Sequence, residues 1–291
     1  MLEGLPIVLL QVLVSGLLVG FVYALSACGL NLIVGVMGII NMAHGEQLMI
    51  GAYITLGVYL WFGIQSPVIL LVAIPITFFI GMQIQKYLLE PMMESLEVGT
   101  LLLTFGLSVF LSTGGLAVLS ANFRFVPMFS GSWVLGELAF PIARMITGGF
   151  AIVITGATYV FLLKHRIGGA IRATSQNAEA ASACGIDVRK IRILAFGLGS
   201  AMAGAAGALV STTYAFNPDI GMTFILKTFA AIVLGGMGSF IGGLIGALLL
   251  GVGEAMAAYF TTAQIAEMFA YVILVSVLIL RPTGIMGIKK S

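Results

Sequence analysis

Long continuous apolar runs fill most of this 291-residue chain and constrain its fold more than any other feature. Sixty per cent of the residues are hydrophobic and only 8% are charged, whereas about a quarter of the residues in a soluble domain are charged. The runs do not alternate with a period of two, which argues against an outer-membrane barrel. In lipid, backbone groups must pair within their own segment. We therefore expect an all-α, polytopic transmembrane bundle that forms one domain over residues 1–291.

Two of the apolar segments are unusually short. The segments lie at residues 7–28, 29–39, 46–62, 67–86, 99–119, 141–163, 193–213, 223–236, 240–260 and 266–280. About 20 helical residues cross a hydrocarbon core of roughly 30 Å, but 29–39 rises only about 16 Å and 223–236 about 21 Å. The sequence therefore predicts about eight to ten membrane segments, including two short broken or re-entrant helices.

The loop at residues 164–192 sets the orientation of the bundle. Six lysines and arginines lie in it, between apolar segments on both sides. Such loops stay in the cytoplasm by the positive-inside rule. Counting segments outward from this loop places residues 120–140 outside, and both the N-terminus and the C-terminus in the cytoplasm.

Several function classes find no support in the sequence. A net charge of +2 gives no reason to expect a nucleic-acid partner. The chain has no GxxxxGK[ST] phosphate loop and no HExxH, CxxC or GxSxG motif, and these are common signatures of nucleotide, metal and nucleophile sites. The two histidines and two cysteines are far apart in the sequence. We therefore expect no catalytic residue, no metal ion and no cofactor.

Polar and glycine-rich residues accompany both short segments. NMAHGE follows the first at 41–46 and GGMGSFIGG follows the second at 235–243, with Met-Gly at matching places, which suggests an internal repeat. Short, interrupted segments in two halves of a transporter indicate its transport pathway. The pathway candidates are Asn31, Asn41, His44, Glu46, Gly235, Gly236 and Gly238. In the alternative, both segments are tight loops at the cytoplasmic surface and the polar side chains cap exposed backbone.

A lysine and a glutamate occur inside the later apolar segments. Lys227 lies near the start of an inward-running segment and Glu254 near the end of an outward-running one. Both therefore lie in the outer half of the bilayer, where charged side chains are costly unless paired. We expect the two side chains to pair, and a contact with substrate is the alternative.

The middle of the charged loop has the pattern of a short helix. Thr174 or Ser175 is a possible N-cap, residues 178–183 are good helix formers around Glu179, and Gly185 occupies the position of a C′ glycine. A short cytoplasmic helix between two membrane segments is suited to contact another protein. An ordinary solvated loop is the alternative.

Residues 179–185 fit EAAxxxG, which resembles the coupling-loop motif of bacterial ABC importer permeases. The resemblance extends to the high-affinity branched-chain amino acid importer permeases, and to the smaller of their two permease subunits. It covers nearly the whole chain and is carried by GLNLIVGVMGIINMAHGEQLMIGAY (29–53), IRATSQNAEAASACGIDVRKIR (171–192), ILKTFAAIVLGGMGSFIGGLIGALLLG (225–251) and LRPTGIMG (280–287).

This resemblance implies a non-catalytic permease subunit in the bacterial inner membrane, which moves branched-chain or other neutral amino acids by alternating access. It implies a heterodimer with a second permease subunit, two cytoplasmic ATPase subunits, and a periplasmic substrate-binding protein that meets loop 120–140 with Arg124 and Glu137. The residues that it assigns to coupling with the ATPase subunits are Glu179, Ala180, Ala181, Gly185 and Asp187.

Two other functions are kept as alternatives. Importers of urea or short-chain amides have permeases with a very similar NMAHGE segment. An ion-coupled secondary transporter would use buried carboxylates such as Glu46, Glu254 and Glu267 to bind its coupling ion, and a channel would need a ring of selectivity groups. Neither the secondary transporter nor the channel accounts for the EAAxxxG loop.

Overall fold

The computed structural model describes residues 5–63, 69–93, 97–281 and 283–286. Its helices are α1 (Leu5–Met37), α2 (His44–Phe62), α3 (Leu70–Ile84), α4 (Glu97–Leu119), α5 (Ile142–Lys164), α6 (Arg166–Gln176), α7 (Ala178–Ala183), α8 (Val188–Val210), α9 (Ile220–Gly235), α10 (Phe240–Phe260) and α11 (Ala263–Leu280). A π-helical turn (Gln85–Leu89) and a 3₁₀ turn (Glu90–Met92) extend α3. An antiparallel hairpin of β1 (Ser132–Leu135) and β2 (Leu138–Pro141) precedes α5.

Six helices within these ranges are long and apolar enough to cross a membrane: α1, extended α3, α4, α5, α8 and α10. Helices α9 and α11 are apolar but shorter. The predicted all-α, polytopic membrane bundle is therefore confirmed. The short second element is also present, because the 16 residues of α9 rise only about 24 Å.

Helix α8 forms the centre of the bundle, and every residue from Gly199 to Val210 is buried. Its small residues bring neighbouring backbones into direct contact. A Cβ at Gly199 would lie 2.7 Å from the Gly29 carbonyl oxygen of α1, and one at Gly207 would overlap the Leu48 carbonyl of α2. Such close approach is how small residues pack helices in lipid, where no hydrophobic force drives helices together.

The segment 29–39 is not a separate short helix, so this part of the prediction is wrong. Helix α1 is continuous from Leu5 to Met37. The predicted boundary at residues 28–29 lies inside this helix, where the missing Cβ of Gly29 allows the contact with Gly199. The helix ends at Gly38, whose φ of +68° lies in the left-handed region and whose N–H donates to the Val34 carbonyl.

The continuity of α1 reverses the predicted location of its first residues. Helix α1 runs in the same direction as α5, because Gln11 donates to the Ala139 carbonyl and Leu18 packs on Gly148. Its first described residues therefore lie at the end of the bundle opposite α6 and α7. The predicted placement of the N-terminus on the same side as loop 164–192 therefore does not hold for the start of α1, and the side of the membrane on which each end lies stays a prediction. Residues 1–4 and 287–291 lie outside the described ranges.

The first break lies after α1. Residues 38–43 are not helical and turn back beside α1, so that His44 Nε2 lies 3.1 Å from the carbonyl oxygen of Ser26. Helix α2 therefore begins alongside the middle of α1.

The second break, residues 236–239, joins α9 to α10. At the other end of the bundle, an isolated bridge between Arg124 and Phe216 attaches the loop before the hairpin to the α8–α9 connection.

The contact between α2 and α8 gives a test of this packing. A Cβ at Gly51 would overlap the backbone of Gly204, whereas nothing lies within 4 Å of a Cβ at Gly57 in the same helix. We expect Gly51→Ala to lower the free energy of unfolding by about 1–3 kcal/mol, since the helices must move apart. Gly57→Ala is the matched control. Equal midpoint temperatures of unfolding in detergent for the two variants would contradict this packing.

Candidate functional site

Helix α7 begins at a cap that the sequence analysis did not identify. The Asn177 Oδ1 accepts a hydrogen bond from the Ala180 N–H at 2.9 Å, and the extended backbone of Asn177 separates α7 from α6. Thr174 and Ser175 are not caps: Thr174 is buried within α6, and the Ser175 hydroxyl donates to the Arg172 carbonyl. Asparagine is as good an N-cap as serine, so the residue type at 177 was the available signal.

Gly185 ends α7 as expected. Its φ is +85°, its N–H donates to the Ser182 carbonyl, and the Ile186 N–H donates to the Ala181 carbonyl at 3.1 Å. This pair of hydrogen bonds is a Schellman motif. Asp187 then caps α8, since its Oδ1 accepts from the Lys190 N–H at 3.1 Å. The Lys190 ammonium, 2.9 Å from Asp187 Oδ2, and the Lys190 N–H both hydrogen-bond to the Asp187 carboxyl and lower its pKa. Only Cys184 to Asp187 separate the two helices.

The EAA residues of α7 divide into exposed and buried positions. Glu179 and Ala180 are exposed, while Ala181 is 4% exposed. Helix α6 attaches this unit to the bundle, because Ile171 packs with Leu162 and the end of α1 in one apolar cluster. The Arg172 guanidinium also donates to the Leu162 carbonyl. Helix α7 is therefore connected to α1 through the packing of α6, and to α8 through residues 184–187.

Asn31 holds the turn between α9 and α10. Its Nδ2 donates to the carbonyl oxygens of Ser239 at 2.7 Å and Gly236 at 3.3 Å, and its Oδ1 accepts from the Gly238 N–H at 2.9 Å. Gly236 and Gly238 have φ values of +111° and +82°, which favour glycine. A Cβ at Gly235 would overlap the backbone of Gly242. These four pathway candidates therefore lie together, with hydrogen bonds and contacts that shape the turn.

The other three pathway candidates lie at the start of α2 and contact different helices. Asn41 accepts from the Ala43 N–H, and Glu46 Oε1 accepts from the Ser108 hydroxyl of α4 at 3.1 Å. Among the described residues, Asn41 Nδ2, His44 Nδ1 and Glu46 Oε2 are buried without a hydrogen-bond partner. The Glu46 carboxylate also lies against Gly221 in the first turn of α9, where the helix dipole favours negative charge.

Lys227 and Glu254 are in contact. Lys227 Nζ lies 2.7 Å from Glu254 Oε1 and 3.7 Å from Glu267 Oε1 of α11. The Tyr23 hydroxyl of α1 donates to Glu254 Oε2 at 2.9 Å and lies 3.3 Å from Lys227 Nζ. Four helices thus meet at one ion cluster at the end of the bundle away from α6 and α7. The sequence analysis missed Tyr23, because a tyrosine inside an apolar segment carries no signal of its partner.

Comparison with known proteins gives consistent matches. A family model described as branched-chain amino acid transport system / permease component matches residues 12–278. The chain is 33% identical to the high-affinity branched-chain amino acid transport system permease protein LivH of Escherichia coli, with 96% of this chain and 95% of LivH covered. It is 34% identical to BraD of Pseudomonas aeruginosa over the same shares. It is 26% identical to LivM of Escherichia coli, over 92% of this chain and 68% of LivM.

Removal of the Asn31 side chain tests its role in the turn. We expect Asn31→Ala to lower the free energy of unfolding by about 1–2 kcal/mol, since three backbone groups that are buried or partly buried lose a partner. Asn122→Ala, at an exposed position in the outer loop, is the control and should leave the midpoint temperature of unfolding unchanged. An unchanged midpoint for Asn31→Ala would show that these hydrogen bonds do not hold the turn.

Proposed function

The chain belongs to the family of branched-chain amino acid transport permeases, and we propose that it is the subunit through which an ATP-driven importer moves branched-chain or other neutral amino acids. It is a multi-pass protein of the bacterial inner membrane. We propose amino acids with apolar side chains as the substrates, because LivH and BraD are named as branched-chain amino acid transport permeases.

The observation that carries the proposal is the geometry of α7. An exposed helix of six residues, with Glu179 in its first turn, is held between two capped ends at the charged side of the bundle. Its sequence is the EAAxxxG motif that resembles coupling loops. A short helix with a fixed start and end moves as a rigid unit, which suits docking to an ATPase subunit.

Four partners complete the proposed assembly. The similarity to LivM supports a second permease subunit and a heterodimer. Two cytoplasmic ATPase subunits dock on the coupling helices, one of which is α7. A periplasmic substrate-binding protein meets loop 120–140, where Arg124 and the exposed Glu137 lie. ATP hydrolysis takes place on the ATPase subunits, so this chain is a non-catalytic membrane subunit with no cofactor of its own.

The mechanism follows from the connection between α7 and α8. ATP binding closes the ATPase pair and displaces α7. Because only Cys184 to Asp187 lie between the two helices, α8 follows. Helices α1 and α2 contact α8 through their backbones, so the two breaks at residues 38–43 and 236–239 rearrange with it. The pathway then opens to each side of the membrane in turn.

Charge reversal on α7 tests this function. We expect Glu179→Lys to reduce recovery of the ATPase subunits with the purified chain by roughly tenfold or more, since a like charge at an interface is strongly unfavourable. Uptake of leucine should fall with it.

Arg166→Glu is the matched control, because it reverses an exposed charge in the same loop outside α7. It should keep both the ATPase subunits and uptake. Normal ATPase recovery and normal uptake by the Glu179→Lys assembly would refute a coupling role for α7. Uptake by the chain without any ATPase subunit would refute the importer function itself.

A further inference from the structure

Two cavities meet at the ion cluster of Tyr23, Lys227, Glu254 and Glu267. One, of about 480 Å³, lies between α1, α5, α10 and α11 and includes Arg144. The other, of about 450 Å³, lies between the α8–α9 connection, α9, α10 and α11. Tyr23, Tyr214 and Glu254 line both cavities. Each cavity has the size of a small-molecule site, and both are at the end of the bundle opposite the coupling helix.

The charges around the cavities are balanced. Lys227 and Arg144 are positive, and Glu254 and Glu267 are negative. Lys227 is only 5% exposed, while the Glu267 side chain is 51% exposed. Glu254 contacts Lys227 and Tyr23, and within the described part of the chain the ion pair of Glu267 is the longer contact to Lys227. The cluster thus offers a fixed cation, a fixed carboxylate and a more accessible second carboxylate.

The cavity of about 450 Å³ also has an apolar wall. Phe216 and Phe224 line it, together with Ile220 and Phe123. Phe216 and Phe224 are buried and belong to the main core, so their positions are fixed by packing. An apolar wall beside charges of both signs matches a molecule that carries an ammonium, a carboxylate and an aliphatic group.

We propose that this cluster binds the zwitterion of an α-amino acid with an apolar side chain. The carboxylate contacts Lys227, the ammonium contacts Glu254 and Glu267, and the side chain lies against Phe216 and Phe224. This inference rests on the proposed function and specifies its substrate class. Urea and short amides carry no ionised groups, so a site with two ion-pairing positions gives them no advantage over water.

Binding to the purified permease–ATPase assembly, without the substrate-binding protein, tests the site. The probes are L-leucine, L-leucinamide, which lacks the carboxylate, and urea, with affinities from calorimetry. We expect the assembly to bind leucine more tightly than leucinamide by roughly tenfold, the usual effect of one hydrogen bond to a charged group. In Lys227→Gln the ratio of the affinities for leucine and leucinamide should fall to about one, since the variant removes the partner of the carboxylate.

Two further variants separate recognition from folding. Asp219→Asn removes an exposed carboxylate at the same end of the bundle that does not line the cavity, and it should keep the preference for leucine. The exchange Lys227→Glu with Glu254→Lys keeps an ion pair between α9 and α10. Its midpoint temperature of unfolding should equal that of the unaltered assembly. Its affinity for L-leucine should be lower, because the two charges are reversed relative to the apolar wall.

The outcomes distinguish this site from the proposed function. Full leucine affinity in the charge-exchange variant, or an unchanged preference in Lys227→Gln, would show that the cluster is only a structural ion pair. Leucine uptake by the complete importer with no leucine binding to the assembly would overturn the site and leave the importer function intact. Binding and uptake of urea in place of leucine would overturn the proposed substrate as well.

Discussion

Backbone-to-backbone packing around α8 is the constraint on which the rest of the structure depends. Side chains in a bilayer gain little from leaving lipid for protein, so helices associate where small residues allow close contact. Gly199 provides this contact to α1, and Gly204 and Gly207 provide it to α2, while the Thr77 side chain of α3 packs on Gly204. A helix packed in this way has few ways to move independently, since any shift changes the backbone contacts on several sides together.

This packing gives α7 its mechanical importance. Helix α7, the proposed coupling helix, is joined to α8 through a Schellman motif and an aspartate cap, both built from short-range hydrogen bonds. A displacement at α7 therefore reaches the centre of the bundle without passing through a long flexible loop. The breaks next to α1 lie within the same contacts, because Asn31 ties residues 236–239 to α1. Polar side chains inside the membrane, Asn31 among them, thus have structural roles.

The sequence predicted the helical bundle, the short α9 and the C-terminal end of α7 at Gly185, because each follows from local chemistry. It failed at residues 28–29, where the predicted boundary between two segments falls inside the continuous α1 and Gly29 contacts α8. The error changed the segment count, so the first residues were expected at the same end of the bundle as α6 and α7. Asn177 was missed because Thr174, Ser175 and Asn177 are all able to cap a helix, and only backbone geometry decides between them. The partners of Glu46 and Glu254 come from α4 and α1, and sequence patterns carry no information about such distant contacts.

Insertion of two glycines after Ile186 tests the central claim most directly. The insertion separates α7 from α8 and leaves Asn177, Glu179 and the core in place. The account predicts that the ATPase subunits still bind and hydrolyse ATP, while leucine transported per ATP hydrolysed falls to the background level. The same insertion after Gly63, at the exposed end of α2, controls for chain length and should leave leucine transported per ATP hydrolysed unchanged. Normal transport per ATP with the insertion after Ile186 would contradict a rigid connection between the coupling helix and the centre of the bundle.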